Sequence, residues 1–321
     1  MKNSIANLST LLFLLFLASP ATSFEGPLQV KNQFPLFVFL NPPYLERALP
    51  EDSLSVILSY SSDYMVKSSS DWSVGLDMET TELSLRYKKK IVNSFELGID
   101  VPFLSFNSGF LDHFLSDYHR TFGFSDYGRS NRPANTFLYE MSKNGKLLIQ
   151  ADNGTIGLGD IRLTAKKALL LADPVVSLMA DIELPTGSAS KGFGSGGIDT
   201  GIAVLIDKRL GEKVMLYGNV GVVFTGDLKW KERVKLRDSL YGGVCVEAAP
   251  WKNFSLLGQA VFQSSPFPET GIPSLDRLSV LLSFGGRYSR GENIFELSLT
   301  EDPNTAGAPD FTVVFAFKRK L

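Results

Sequence analysis

The chain has 321 residues, a formal charge of −2 at pH 7 and a single cysteine, Cys245. This near balance of charge argues against a nucleic-acid-binding protein. One cysteine excludes an intramolecular disulfide and any metal site built on several thiolates.

The first 23 residues have the features of a secretory signal peptide. Lys2 supplies a positive charge, the run 11–17 is apolar but too short to span a bilayer, and residues 21–23 are small enough to precede a cleavage site. We therefore expect residues 1–23 to be removed, with an uncleaved membrane anchor as the alternative. Residues 24–52 are expected to form an extended segment on the periplasmic side.

From residue 53 to the end, apolar and polar residues alternate with a period of two, which predicts β-strands. Phe95, Leu97 and Ile99, for example, alternate with Glu96 and Asp100. The predicted strands span 53–67, 73–90, 93–105, 136–143, 145–152, 157–171, 174–185, 197–208, 213–226, 237–249, 252–264, 276–289, 292–301 and 309–320. These are about 14 strands, or 12 if the weak pair at 136–152 belongs to a loop, and single-chain bacterial barrels have even counts.

The lengths of the connections favour a membrane barrel. Short connections are predicted near 91–92, 172–173, 209–212, 250–251 and 290–291. Long connections are predicted at 106–135, 186–196, 227–236, 265–275 and 302–308. Outer-membrane barrels have short periplasmic turns and longer outer loops, whereas a soluble sandwich has no reason to segregate its loop lengths in this way.

Charged residues recur in the middle of strands, all in the polar phase of the alternation. Such charges would be costly in a closed soluble core but suit a hydrated lumen. The candidate lumen-facing residues are Glu82, Arg86, Glu96, Asp100, Asp160, Arg162, Lys166, Asp181, Glu183 and Glu296. The sequence thus predicts an all-β, antiparallel transmembrane β-barrel over 53–321. A soluble periplasmic β-sandwich or propeller with a polar outer face is the rival fold.

The longest connection, 106–135, contains both histidines and a stretch, 109–120, whose apolar residues have helical spacing. A short helix there could enter the lumen as a plug or lie at the membrane surface. The candidate plug residues are Phe110, Asp112, His113, Phe114 and His119. Asp112, His113, Asp117 and His119 could suit a metal, but residues six apart lie about 240° out of phase on a helix, so no metal site is expected.

Other candidate chemistry is weak. A barrel hydrolase needs a serine, a histidine and an orienting group, and residues 194–197 lack the spacing of a nucleophile motif. The basic runs 88–90 and 229–235 are interpreted as solvated strand ends, or alternatively as contacts to anionic lipid headgroups. No catalytic residue and no cofactor is expected.

Several motifs together resemble a family of bacterial outer-membrane barrel proteins that is catalogued only as a domain of unknown function. They are Asn41-Pro42-Pro43, Gly109-Phe110-Leu111-Asp112 with Tyr118-His119 and Gly123, Gly157-Leu158-Gly159-Asp160-Ile161, Glu183-Leu184-Pro185-Thr186-Gly187, and Phe193-Gly194-Ser195-Gly196. The resemblance covers nearly all of the chain after residue 23. The resemblance implies a barrel in the outer membrane of a Gram-negative bacterium. It does not imply any particular activity.

The leading functional hypothesis is passive or gated passage of small solutes across the outer membrane. A non-conducting barrel with a structural or adhesive role, closed by 106–135, is the alternative, and an outer-membrane hydrolase is the third. The expected partners are outer-membrane lipid, the barrel-assembly machinery and small solutes, but no nucleic acid.

Overall fold

A computed structural model describes residues 24–123 and 128–321. Its strands are β1 Ser53–Ser68, β2 Trp72–Val92, β3 Phe95–Asn107, β4 Leu138–Lys143, β5 Lys146–Gln150, β6 Thr155–Leu158, β7 Ile161–Leu170, β8 Val175–Leu184, β9 Asp199–Arg209, β10 Val214–Phe224, β11 Leu228–Lys229, β12 Arg233–Val234, β13 Ser239–Trp251, β14 Phe254–Gln263, β15 Ser279–Arg290, β16 Asn293–Glu301 and β17 Phe311–Lys320. Its helices are α1 Asp112–Phe122 and α2 Pro273–Asp276, with 3-10 turns at Arg129–Asn131 and Ala189–Lys191. Neither described α-helix is long and apolar enough to cross a membrane.

Within the described residues, twelve strands close into one antiparallel barrel. They are β1, β2, β3, β7, β8, β9, β10, β13, β14, β15, β16 and β17. The seam is closed by β1 and β17, paired from Ser53↔Lys320 to Ser62↔Phe311. The predicted antiparallel barrel is confirmed, and the alternative count of 12 strands is the correct one.

The two weak strands predicted at 136–152 do form, but outside the closed ring. They are β4 and β5, of six and five residues. β4 pairs with the first residues of β2, Trp72–Asp77, and β5 pairs with β4 alone among the described strands. β6 pairs in the same manner with the last residues of β3. These three strands raise the barrel wall at one end without widening the barrel.

Short and long connections lie at opposite ends of the barrel. We call the end where β1 begins and β17 finishes the terminus end; its turns are 93–94, 171–174, 210–213, 252–253 and 291–292. We call the opposite end the loop end; it carries the connections 108–137, 185–198, 225–238, 264–278 and 302–310. Only the turn between β1 and β2, at 69–71, is short there.

The outer face of the wall is apolar and the inner face is polar. Exposed, outward-facing residues on successive strands include Leu58, Leu83, Leu97, Leu163, Leu178, Ile202, Val220, Val244, Leu256, Phe284, Leu297 and Phe315. The inward-facing residues of the same strands are buried and many are charged. This is the reverse of a water-soluble barrel and the arrangement that lipid requires, because a closed sheet leaves no backbone group unpaired in hydrocarbon.

Residues 24–52, which the sequence analysis expects as an extended segment on the periplasmic side, run inside the barrel. Glu25 pairs with Lys320 at the terminus end, and Lys31 pairs with Glu82 halfway along β2. The chain turns at the loop end, where Val38 N–H donates to the Phe34 carbonyl oxygen (2.9 Å), and then returns. Segment 24–52 is therefore a hairpin-shaped filling of the lumen, which we call the luminal plug.

The predicted helix in the longest connection is present as α1, but it lies on the outside of the wall. Phe114 packs edge-on against Phe311 (5.9 Å between ring centroids), and Phe311 faces outward from β17. Phe110 stacks on the outward-facing Tyr60 at 5.4 Å. The long connection thus covers the barrel seam near the loop end and leaves the lumen to the luminal plug.

The face assignment predicts the effect of a charge on the outer wall. Leu163→Arg places a guanidinium against hydrocarbon and should lower the free energy of unfolding, by about 2–4 kcal/mol if the site lies near the bilayer midplane. Leu210→Arg is the control, because Leu210 lies in an exposed turn at the terminus end, and this change should cost little. Urea unfolding in lipid vesicles measures both variants. Equal losses would contradict the assignment of the outer face to lipid.

Candidate functional site: the luminal plug and its charged wall

The luminal plug is bound to the wall by side chains and does not join the sheet. Its backbone N–H groups donate to inward-facing carboxylates and amides of six strands. The contacts run from Glu25 N to Glu247 (3.1 Å), Leu28 N to Gln259 (3.0 Å), Gln29 N to Glu296 (2.7 Å), Asn41 N to Glu183 (2.7 Å), Glu46 N to Asn219 (2.5 Å) and Ala48 N to Asp207 (2.9 Å). Each of these contacts can break without loss of a barrel ladder bond.

Carbonyl oxygens of the luminal plug accept hydrogen bonds from cations of the wall and, at Ala48, from the Ser177 hydroxyl (2.6 Å). Arg287 donates to the carbonyls of residues 26 and 27 at 2.8 and 3.1 Å. Arg162 reaches the Pro42 carbonyl (3.2 Å), and Lys166 reaches that of Arg47 (2.9 Å). The luminal plug is extended and has no secondary structure of its own. These donors give its buried carbonyl groups the hydrogen bonds that buried backbone requires.

Ion pairs anchor both arms of the hairpin. Glu46 pairs with Arg86 and Lys88, and all three side chains are buried. On the other arm Lys31 contacts Glu82 at 3.0 Å. Glu51, where the luminal plug joins β1, contacts Lys318 at 2.9 Å.

The anchoring carboxylates of the luminal plug are held in their charged form. Burial raises the pKa of Glu46, but Arg86 and Lys88 outweigh it, so its pKa lies well below the ordinary 4.5. Burial likewise raises the pKa of Glu51, and Lys318 and Lys88 bring it well below that same value.

The turn of the hairpin is apolar and closes the loop end. Phe37 stacks on Phe267 (6.0 Å), and Phe39 meets Trp230 edge-on (5.5 Å). The Tyr139 hydroxyl, from β4, donates to the Pro35 carbonyl at 3.0 Å. Loops and the added strands therefore form an apolar cap over residues 34–40.

All ten predicted lumen-facing charges are buried on the inner side of the wall. Eight of them contact the luminal plug directly: Glu82, Arg86, Glu96, Arg162, Lys166, Asp181, Glu183 and Glu296. Asp100 contacts Arg86 at 3.6 Å instead. Asp160 lies at the loop end and holds a loop.

Sequence reasoning missed three anchors: Lys88, Asp207 and Lys318. Lys88 was interpreted as part of a solvated basic run, yet it is two residues beyond Arg86 and shares its inward phase. Asp207 likewise shares the phase of Asp199 on β9. Applying the period of two along the whole of β2 and β9 would have identified Lys88 and Asp207 as inward-facing.

The residues predicted as a possible plug lie outside the wall. Phe110 and Phe114 are 68% and 50% exposed, and His113 is exposed. The Asp112 carboxylate accepts from the N–H of Asn135 (2.6 Å) and pairs with Arg129. His119 belongs to α1, but its side chain lies outside the described part of the structure.

Outward-facing acids explain this placement of the long connection. Glu79 accepts hydrogen bonds from the N–H groups of Phe110 (3.0 Å) and Leu111 (2.6 Å). Gly109, with φ of +69°, allows that approach, because a Cβ there would lie 1.8 Å from the Glu79 carboxyl carbon. Arg129 then links Asp112 to Ser62 and Asp310 across the seam. The connection is fastened to the outer wall by these contacts.

Three of the motifs noted in the sequence meet at one corner of the loop end. Asp160 accepts hydrogen bonds from Gly187 N (2.7 Å) and Ser195 N (2.9 Å). Burial raises the pKa of Asp160 to about 6, against the lowering effect of these backbone donors. Gly157 lies under Phe193, where a Cβ would come within 2.4 Å of the ring. This corner folds the loop 185–198 over the luminal plug.

Comparisons with known proteins agree with the architecture. A family model described as Protein of unknown function (DUF3187) matches residues 5–321. The structure is similar to an outer-membrane channel from Pseudomonas putida F1, with a TM-score of 0.56 and 14% identity over 87% of this chain and 99% of that one.

More distant similarities include the NanC porin (TM-score 0.48, 9% identity, 84% of this chain and 100% of that one) and the P. putida toluene transporter TodX (0.43, 10%, 85% and 90%). No curated protein sequence matches the chain. The similarity to the P. putida F1 channel thus supports the barrel fold of this chain.

The ion pairs predict the cost of removing one anchor. Glu46→Gln removes the carboxylate that Arg86 and Lys88 share and leaves them only longer contacts to other carboxylates, Asp100 (3.6 Å) and Glu51 (3.4 Å). Breaking this buried pair should lower the free energy of unfolding by about 3 kcal/mol. Glu232→Gln is the matched control, since Glu232 pairs with Lys146 at an exposed site and such pairs contribute at most about 1 kcal/mol. Urea titration monitored by the heat-modifiable gel shift measures both. Equal, small losses would show that Glu46 anchors nothing.

The lowered pKa values of Glu46 and Glu51 predict loosening in acid. A carboxylate whose folded pKa is depressed stabilises the fold fully above its unfolded pKa, here 4.5, and loses that contribution as pH falls towards the folded pKa. Amide hydrogen exchange of residues 24–52, corrected for intrinsic rates, should therefore accelerate below pH 4.5 relative to β13–β16. The acceleration should shrink in Glu46→Gln; an unchanged pH profile in that variant would contradict the assignment.

Proposed function

We propose that this chain, which belongs to the family described as proteins of unknown function (DUF3187), passes small solutes across the outer membrane when its luminal plug moves. In this proposal residues 1–23 are removed as a signal peptide during export, and barrel-assembly machinery inserts 53–321. The terminus end then faces the periplasm and the loop end faces outward. The apolar outer face supports placement in lipid.

One observation carries the proposal: within the described residues, every hydrogen bond or ion pair that joins residues 24–51 to the wall involves at least one side chain. The luminal plug is covalently continuous with the barrel through residue 52, whose carbonyl also accepts a hydrogen bond from Leu321 N (3.2 Å). Its hydrogen bonds end on inward-facing carboxylates, amides, hydroxyls and cations. The ladder of the twelve strands stays intact when those contacts break. A filling of this kind can act as a gate, whereas a filling paired to the sheet could not leave without opening the barrel.

The lining behind the luminal plug favours polar solutes. Carboxylates outnumber amines and guanidiniums among the buried, inward-facing side chains. The acids are Asp63, Glu82, Glu96, Asp100, Asp181, Glu183, Asp199, Asp207, Glu247 and Glu296, and the bases are Arg86, Lys88, Arg162, Lys166, Arg287 and Lys318. Because carboxylate-rich pores favour cations, the open state should be modestly cation-selective.

The apolar cap supports a second candidate, a barrel that does not conduct. Residues 34–40 are buried beneath Phe267, Trp230 and Tyr139, so opening must expose this surface or carry the cap away. A structural or adhesive protein would retain such a closure permanently. Conductance separates the two candidates.

Planar-bilayer recordings test the gate directly. Wild-type protein should open rarely, and Glu46→Gln should raise the open probability at least tenfold, because each loss of about 1.4 kcal/mol of anchoring gives one factor of ten. A deletion of residues 26–48 should conduct continuously, with a reversal potential of cation-selective sign in a salt gradient. The Glu232→Gln variant should behave as wild type.

The heat-modifiable gel shift confirms that each recorded variant is folded. Folded Glu46→Gln and deletion variants that never conduct would overturn the gate and leave the non-conducting barrel. An anion-selective reversal potential would overturn the charge argument alone.

A further inference from the structure

The outer wall has an apolar depression that no part of the chain covers within the described residues. It has a volume of about 620 Å³ and crosses β7, β8, β9, β10 and β13. Its lining is aliphatic apart from one phenylalanine and one lysine. The outward-facing lining residues are Phe95, Ala165, Lys167, Leu178, Ala180, Ile202, Val204, Val220, Val222 and Leu240.

Strand register makes this depression a trough. One row of outward-facing residues pairs directly across five strands: Ala165, Ala180, Ile202, Val222 and Leu240. With strands about 4.8 Å apart, the row is about 19 Å long. The two alanines leave room at one end, while Ile202 and Leu240, 54% and 65% exposed, stand out from the wall further along.

A single cation marks the end of the trough nearest the terminus end. Lys167 is its only charged lining residue. The ammonium donates to the Ser94 hydroxyl at 2.8 Å, and no carboxylate in the described residues forms a salt bridge with it. An exposed lysine beside an apolar trough fits an amphiphile with an anionic head and an extended aliphatic tail.

Aromatic side chains are sparse around the trough, where Phe95, paired with Lys167, is the one aromatic lining residue. On β14 to β17, Phe254, Tyr288, Phe295 and Phe317 face outward in a continuous register. The outward-facing residues of β8, β9 and β10 include one aromatic side chain, Phe224, and it lies at the loop end. Near the terminus end these strands present Val176, Lys208 and Leu216.

We propose that this trough binds one acyl chain of an anionic phospholipid from the leaflet at the terminus end, with the lipid phosphate at Lys167. The proposal rests on the membrane location included in the proposed function, and it is independent of gating. Aliphatic side chains supply the contact with the tail, and the lysine supplies the preference for negative charge. The site is a bound-lipid position on the wall, distinct from the annular lipid that surrounds any barrel.

Native mass spectrometry of the full-length protein after detergent exchange tests this proposal. Phosphatidylglycerol and phosphatidylethanolamine are added back separately as probes. Wild-type protein should retain one phosphatidylglycerol molecule, and Lys167→Gln should reduce the preference over phosphatidylethanolamine by about fivefold, the factor expected for one lysine at an anionic lipid surface. Ala180→Trp fills the trough and should abolish retention.

Ala260→Trp is the matched control, because Ala260 also faces outward but lies on β14, beyond the last strand that lines the trough. It should retain the lipid as wild type does. Equal retention in Ala180→Trp and wild type would overturn the site, as would a lipid-free dimer whose contact is lost in Ala180→Trp. If the gating variants do not conduct but the wild-type protein binds lipid as expected, the result contradicts the gate and still supports the lipid site.

Discussion

The structure depends on one constraint: charges on the inner wall of a closed barrel must find partners. Turned inward, Glu82, Arg86, Glu247 and Arg287 are almost fully shielded from water. Unpaired ions are very costly in such surroundings. The luminal plug meets the constraint, because it presents Lys31 to Glu82, Glu46 to Arg86, and carbonyl oxygens to Arg287. Some wall charges also pair with each other, as Arg287 does with Glu247 and Glu296. The wall and the luminal plug therefore form one polar interior, in which the luminal plug supplies the partners that the wall lacks.

The outer wall is specified by the opposite requirement. Aliphatic residues face lipid along the strands, and the few outward acids, Asp77 and Glu79, are covered by the connection that carries α1. Arg129 joins this connection to both strands of the seam through Ser62 and Asp310. The apolar cap over residues 34–40 seals the loop end. Polar contacts thus hold the luminal plug along its arms and apolar contacts hold its turn, so acid and salt should act on the arms first.

The strands could be predicted from the sequence because alternation with a period of two is a local property. The phase alone predicted Glu82 and Arg86 as lumen-facing. Lys88 was missed because residues 88–90 were interpreted as a solvated basic run, although Lys88 has the same phase. The strand count differed because β4 and β5 alternate like barrel strands, and only tertiary pairing shows that they sit above the ring. The luminal plug has no regular alternation of apolar and polar residues from which its position could be predicted. Its position depends on contacts with strands up to 295 residues away in the chain. The helix α1 was found from its spacing, but its side of the wall was decided by Glu79 and Arg129.

The buried thiol of Cys245 gives the most direct measurement of the central claim, that residues 24–52 fill the barrel. Cys245 faces inward from β13, is fully buried, and shares an apolar cluster with Leu28 of the luminal plug. A small, charged thiol reagent added to folded protein in detergent should leave Cys245 unmodified for hours. It should react within minutes in a folded variant that lacks residues 26–48. Equally fast modification of the wild-type protein would show an unfilled lumen and contradict the account.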